Sequence, residues 1–180
     1  MEKKGELELT WVGKYEEEKL EPRILIEDKS KSYGDSDTEN MLIHGDNLLA
    51  LRALEQDFSG KIKCIYIDPP YNTGSAFEHY DDGVEHSIWL SLMKQRLDIL
   101  HNLLCDEGFI FVEIDNNEMA YLKVLMDEIF GRENFVNDIV WKRRGGSANP
   151  NNRLNNVTDY ILWYSKTQNY KISPAFTLDD

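Results

Sequence analysis

The chain has 180 residues, 41% hydrophobic and 29% charged: enough for one domain with a real core, and too apolar for a disordered or fibrous polymer. No apolar run approaches the roughly 18 residues of a membrane span, residues 1–10 lack a secretory h-region, and Cys64 and Cys105 match no disulfide, zinc or redox spacing, so a soluble cytoplasmic protein without a membrane partner is expected. The net charge of −13 is uneven: residues 1–40 carry −5, residues 41–140 carry −11 and residues 141–180 carry +3. A polyanion is repelled by most of this chain, so any nucleic-acid contact must concentrate on a local patch, of which Trp141-Lys142-Arg143-Arg144-Gly145-Gly146 is the best.

In chain order, residues 1–40 read as a polar arm. Two short apolar alternations, at Leu7, Leu9 and Trp11 and at Ile24 to Ile26, could each add a strand or pack on the domain. From residue 41 to 180 the pattern becomes alternating strands and helices. Met41 to His44 is a short apolar run closed by Gly45. Asp46 or Asn47 caps a helix carrying Leu48, Leu51 and Leu54. Ile62 to Ile67 is a β-branched and aromatic strand ended by Asp68-Pro69-Pro70. Ile88, Leu92, Ile99 and Leu103 trace an amphipathic helix that Gly108 would end. Phe109 to Ile114 is a buried strand. Asp115 and Glu118 have capping-box spacing before a helix over Tyr121 to Ile129. Phe135 to Trp141 and Tyr160 to Tyr164 read as an antiparallel hairpin. The whole predicts an α/β fold with a mostly parallel sheet covered on both faces.

The chemistry concentrates in Asp68-Pro69-Pro70-Tyr71-Asn72-Thr73-Gly74, at the carboxyl end of a strand, where open α/β sheets bind ligands. Consecutive prolines remove two backbone donors and leave their carbonyls as directed acceptors beside an acceptor-only carboxylate. Acceptors next to an aromatic ring suit a flat group bearing an NH₂, such as the exocyclic amine of a nucleobase. Asp68 would take one hydrogen, the Pro69 carbonyl the other, and Tyr71 would stack on the base. A strand-ending turn whose Asp accepts backbone N–H groups is the simpler alternative.

The chain resembles the amino-methylating DNA methyltransferases with an Asp-Pro-Pro-Tyr motif, and more narrowly the modification (Mod) subunits of type III restriction–modification systems. The resemblance rests on blocks at 9–17, 41–54, 66–74 (YIDPPYNTG), 89–104, 108–118 (GFIFVEIDNNE), 129–143 and 158–166, in family order. It implies a Rossmann-like S-adenosylmethionine-dependent fold, and methyl transfer to adenine N6 in double-stranded DNA, without a metal or a covalent nucleophile. It makes Asp68, Pro69, Pro70 and Tyr71 the catalytic turn, and implies a restriction subunit as partner. The alternative is an interaction module that has lost catalysis.

The family's Phe-x-Gly-x-Gly cofactor turn does not occur in these 180 residues. The expectation is therefore a partial catalytic domain with an incomplete cofactor site, which self-associates or pairs with a complementing methyltransferase segment. Asp46 is a candidate contact to the cofactor's adenosine as well as a helix cap, and Asp68 is a second cofactor candidate. Phe77 and Tyr80 are candidates for holding a flipped base or for loop packing, and Lys142, Arg143 and Arg144 for DNA phosphates. The acids and histidines between His79 and His86 read as solvated charge rather than a metal cluster. Trp89, Leu92, Trp141 and Trp163 read as core or hairpin packing.

Overall fold

A computed structural model describes residues 8–16, 21, 23–35, 37–72, 85–143 and 157–173. In chain order the elements are α1 (Asn47–Phe58), β1 (Ile62–Ile67), α2 (His86–Leu103), β2 (Leu104–Ile114), α3 (Met119–Phe130), a 3-10 turn (Arg132–Asn134), β3 (Phe135–Lys142) and β4 (Thr158–Ser165). The sheet order is β1-β2-β4-β3. β1 and β2 run parallel, with α2 as the crossover, while β2–β4 and β3–β4 are antiparallel. The terminal hairpin is as expected, and the described strands form a mixed sheet.

Strand alternation decides where the core lies. Ile110, Val112 and Ile114 of β2 are fully buried, as are Leu162 and Tyr164 opposite them on β4. The Tyr164 hydroxyl donates to Asp127 Oδ1 of α3 at 2.6 Å, which places the helices over this face. α2 and α3 pack together there through Trp89, Met93, Leu97, Leu122, Leu125 and Met126, and Leu48 brings α1 into the same cluster. The alternate residues Phe109, Phe111 and Trp163 lie on the other face and remain half-buried. Phe111 stacks on Trp163 with ring centroids 5.2 Å apart, and Phe109 meets Tyr170 edge-on. No described helix covers this aromatic face.

Two expectations change. Met41 and Leu42 are 59% and 99% exposed, and residues 41–44 form no strand. A short apolar run gains from extended geometry only when a neighbour takes its backbone hydrogen bonds, and no described strand does so. Gly108 does not end α2, which passes directly into β2 at Leu104. Instead it sits where the β1–β2 register jumps, Ile62 pairing Leu104 and Cys64 pairing Phe109. A β-carbon there would lie 2.9 Å from the carbonyl oxygens of both Ile62 and Cys105. The bulge closes only around a residue without a side chain.

Within residues 1–40, the segment 8–16 packs on the helices instead of adding a strand. Trp11 Nε1 donates to Ser91 Oγ at 2.8 Å. Lys14, 7% exposed, reaches Glu128 Oε2 at 2.7 Å, Glu8 Oε1 at 3.0 Å and the Leu9 carbonyl at 2.7 Å. Three acceptors around one ammonium satisfy the charge that burial would otherwise leave exposed to a low dielectric. Among the described residues no helix is long and apolar enough to cross a membrane.

Gly108→Ala must push two backbone carbonyls apart, so its unfolding free energy in urea falls by about 1–3 kcal/mol; an unchanged midpoint would show the bulge to be loose.

Candidate active site

The site begins where β1 runs out of sheet. Asp68 is exposed just beyond Ile67, and Pro69 and Pro70 are half-buried in trans geometry. With no N–H of their own, the prolines need a hold from elsewhere. Trp89 supplies it: its ring is buried in the α2 face of the core and its Nε1 donates to the Pro70 carbonyl at 2.7 Å. The Tyr71 ring packs against the core cluster, and its hydroxyl hydrogen-bonds the Asp68 carboxylate. Among the described residues no donor is bonded to the Pro69 carbonyl.

Asn72 follows in the left-handed region at φ 57°, a conformation that asparagine tolerates better than most residues. Its Nδ2 donates to Glu118 Oε1 at 2.6 Å, and His86 Nδ1 approaches the same oxygen at 2.8 Å. Glu118 is the residue before α3 and makes no side-chain cap bond. Asp115 accepts from the Asn117 backbone N at 2.8 Å and from its Nδ2 at 2.9 Å, as in an Asx turn. The capping box expected of Asp115 and Glu118 is thus replaced by a turn at 115–117 and a contact from Glu118 to Asn72, next to the Asp68–Tyr71 turn.

Negative charge crowds this end of the sheet. Partial desolvation raises the Asp68 carboxyl above the ordinary carboxylate range even though the residue is exposed, and the charge of Glu113 adds to it; the Tyr71 hydroxyl opposes the shift, and Asp159 raises it further. Burial raises the Tyr71 phenol strongly, followed by the charges of Asp68, Glu113 and Asp159. Tyr66, on β1, bonds Glu113 on the neighbouring strand, and that bond first, then burial, pushes its phenol from 10.0 up to about 12. Asp159, 4% exposed, is raised by burial while Arg143, 3.2 Å from its Oδ1, pulls it down.

The sequence-based candidates fall in different places. Asp68, Pro69, Pro70 and Tyr71 form one turn. The Asp46 carboxylate caps α1, accepting from Leu48 N at 3.0 Å and Leu49 N at 3.1 Å; that bond accounts for its place without a ligand. Lys142 is exposed at the end of β3, opposite Thr158, and Arg143 faces Asp159. Phe77, Tyr80 and Arg144 lie outside the described residues. Trp89, read as core packing, is both core and anchor of the turn. Glu113, Tyr66, Asn72 and Glu118 were not anticipated as site residues; only Asn72, in a position after the turn that suits positive φ, carried a local signal. Among the described residues no group of His, Cys, Asp and Glu is placed to hold a metal ion.

Ionising Asp68 at neutral pH works against folding, since its folded pKa lies above its unfolded one. The penalty is absent below 3.8 and grows as the pH rises through the folded value. Asp68→Asn therefore raises stability at pH 7, by less than about 1 kcal/mol after solvent screening, and matches the parent at pH below 3.8 in thermal melts. Tyr66 has the same sign at the alkaline end: its contribution is whole below 10.0 and is lost as the pH rises through about 12. Glu113→Gln brings its phenolate absorbance step back toward 10.0; a step that stays in place would assign the shift elsewhere.

Residues 62–179 match a family model described as DNA methylase. Over 72% of its length the chain is 47% identical to the probable type III restriction-modification enzyme HindVI Mod subunit of Haemophilus influenzae, of which the match covers 18%. Over 72% it is 39% identical to the StyLTI Mod subunit of Salmonella typhimurium, covering 24% of that protein. Over 73% it is 42% identical to the type II methyltransferase M.EcaI of Enterobacter cloacae, covering 30%. The chain thus spans less than a third of the length of these relatives. In structure it resembles M1.HpyAVI, solved with S-adenosylmethionine, with a TM-score of 0.52 and 15% identity over 76% of this chain and 60% of that one; at this identity the likeness shows the Rossmann-like fold. Fold, motif blocks and family model agree: the chain belongs to the DNA methylase family that includes the type III Mod subunits.

Proposed function

We propose that residues 41–180 form part of the catalytic domain of a DNA adenine-N6 methyltransferase, with residues 1–40 as an arm, and that Asp68 to Tyr71 grip the target base. The observation that carries this is the division of labour in the turn. Trp89 takes the Pro70 carbonyl, while the Asp68 carboxylate is exposed and the Pro69 carbonyl has no bonded donor among the described residues. Two acceptors at the end of a strand match the two hydrogens of an adenine amine drawn out of the duplex. Tyr71, held to Asp68, offers its ring beside them.

The acceptors at the ends of β1 and β2, Asp68 and Glu113, suit the sulfonium and ammonium charges of S-adenosylmethionine, with Asp46 as a further candidate contact. When bound, that molecule supplies a methyl group already activated as a sulfonium. The residues of this chain would hold the amine in line and favour the pyramidal nitrogen that forms as the N–C bond is made and the S–C bond breaks, the sulfonium leaving as a neutral thioether. Asp68, held above the ordinary carboxylate range, is suited to receive the proton the nitrogen then sheds. Lys142 and Arg143 supply candidate phosphate contacts, with Arg144 beyond them, and Phe77 and Tyr80 remain candidates for the flipped base. DNA and a restriction subunit are the partners this reading implies, in the cytoplasm.

A second reading has one observation in its favour. The outer edge of β1 has no described strand beside it and the aromatic face has no described helix over it, surfaces that favour pairing with a second polypeptide in a scaffold without catalysis. Transfer of labelled methyl from S-adenosylmethionine to DNA separates the two, assayed with the chain alone and mixed with a family polypeptide that carries the glycine-rich turn. Transfer that falls at least about 100-fold with Asp68→Ala supports catalysis; transfer indifferent to Asp68→Ala, or absent in both arrangements, refutes it.

A further inference from the structure

Glu118 is wholly buried, yet its carboxylate caps no helix. Oε1 receives Asn72 Nδ2 at 2.6 Å and His86 Nδ1 at 2.8 Å, and Oε2 is buried without a donor among the described residues. An apolar side chain of similar volume would fill this position without the desolvation cost of a half-satisfied carboxylate. What the carboxylate adds is its two donors, and both lead to the catalytic turn. Asn72 is the residue after Tyr71, held at a backbone angle that costs free energy and needs an external hold. His86 opens α2 one helical turn before Trp89, on the same face, and Trp89 anchors the Pro70 carbonyl. The contacts close a ring: Pro70 to Trp89, along α2 to His86, through Glu118 to Asn72, and back along the chain through Tyr71.

We propose that Glu118 is a positioning residue for Asp68-Pro69-Pro70-Tyr71, acting through Asn72 and His86 and never touching the base. The proposal rests on the methyl-transfer reading for its consequence and on geometry for its substance. Near-attack geometry is unforgiving, with a displacement of about 1 Å costing on the order of 100-fold in rate. With two of its four residues unable to donate a backbone hydrogen bond, the turn depends on side-chain holds of this kind to prevent such a shift.

The test compares Glu118→Leu, which keeps the volume and removes the acceptor, with Glu118→Gln, which keeps an acceptor oxygen. Hydrogen exchange of the Trp89 indole proton reports on the turn without any need for activity. Glu118→Leu accelerates it at least about tenfold relative to the Ile110 backbone amide, and Glu118→Gln leaves it within about threefold. In the active mixture Glu118→Leu lowers kcat about 100-fold with both KM values within about threefold, Glu118→Gln restores it, and Asn72→Ala adds little to Glu118→Leu. Should Glu118→Leu fail to fold, Asn72→Ala and His86→Ala, each removing one donor, carry the same measurements. Trp89 exchange that is unchanged, or that moves only in step with Ile110 as a global stability effect would, overturns the proposal. So does an active mixture whose kcat ignores Glu118→Leu. If Trp89 responds as stated while the parent mixture transfers no methyl, the hold on the turn stands and the methyl-transfer reading falls.

Discussion

A turn made of consecutive prolines cannot secure itself. Each ring removes the N–H through which a backbone would bond to its neighbours, so Asp68-Pro69-Pro70-Tyr71 is placed by side chains arriving from other elements. Trp89 comes from α2 onto the Pro70 carbonyl, Glu118 from the start of α3 onto Asn72, and Tyr71 folds back onto Asp68. All three anchors are rooted in the buried side of the sheet, where Trp89 and Glu118 are almost wholly hidden. The packing of α2 and α3 therefore reaches the Asp-Pro-Pro-Tyr turn directly: the core supplies both the stability of the domain and the placement of the acceptors in that turn.

The same end of the sheet gathers charge that a stability argument alone would disperse. Glu113 raises the proton affinity of both Asp68 and Asp159, Asp159 adds to that of Asp68, and Arg143 lowers that of Asp159. Crowding of this kind is found where a fold trades stability for chemistry. A ligand with positive charge or amine hydrogens would relieve it.

Much of this was legible in the residues. The strand Ile62–Ile67 lies where its β-branched run and the following Asp-Pro-Pro place it, because periodicity and a proline stop are local signals. Asp46 caps α1 for the same reason. Met41 to His44 failed as a strand because pairing depends on a neighbour that no local pattern reveals. Gly108 was read as a helix stop, whereas its role comes from the carbonyls of Ile62 and Cys105 meeting across two strands. Glu118 carried a misleading signal: its spacing from Asp115 imitates a capping box, while its partner Asn72 is 46 residues away in sequence. Long-range polar contacts of this kind leave no periodic trace.

One connection has a consequence for how the chain can vary. α2 ends at Leu103 and β2 starts at Leu104, and the chain takes up its slack only beyond that point, in the bulge before Phe109. The indole that supports the turn and the last residue of α2 are thus indexed to each other along one helix. Adding a single amino acid between them would swing the Trp89 ring by about 100° around the helix axis. Substitutions along this helix can be absorbed by repacking, whereas an insertion within it would carry the Trp89 ring away from the Pro70 carbonyl.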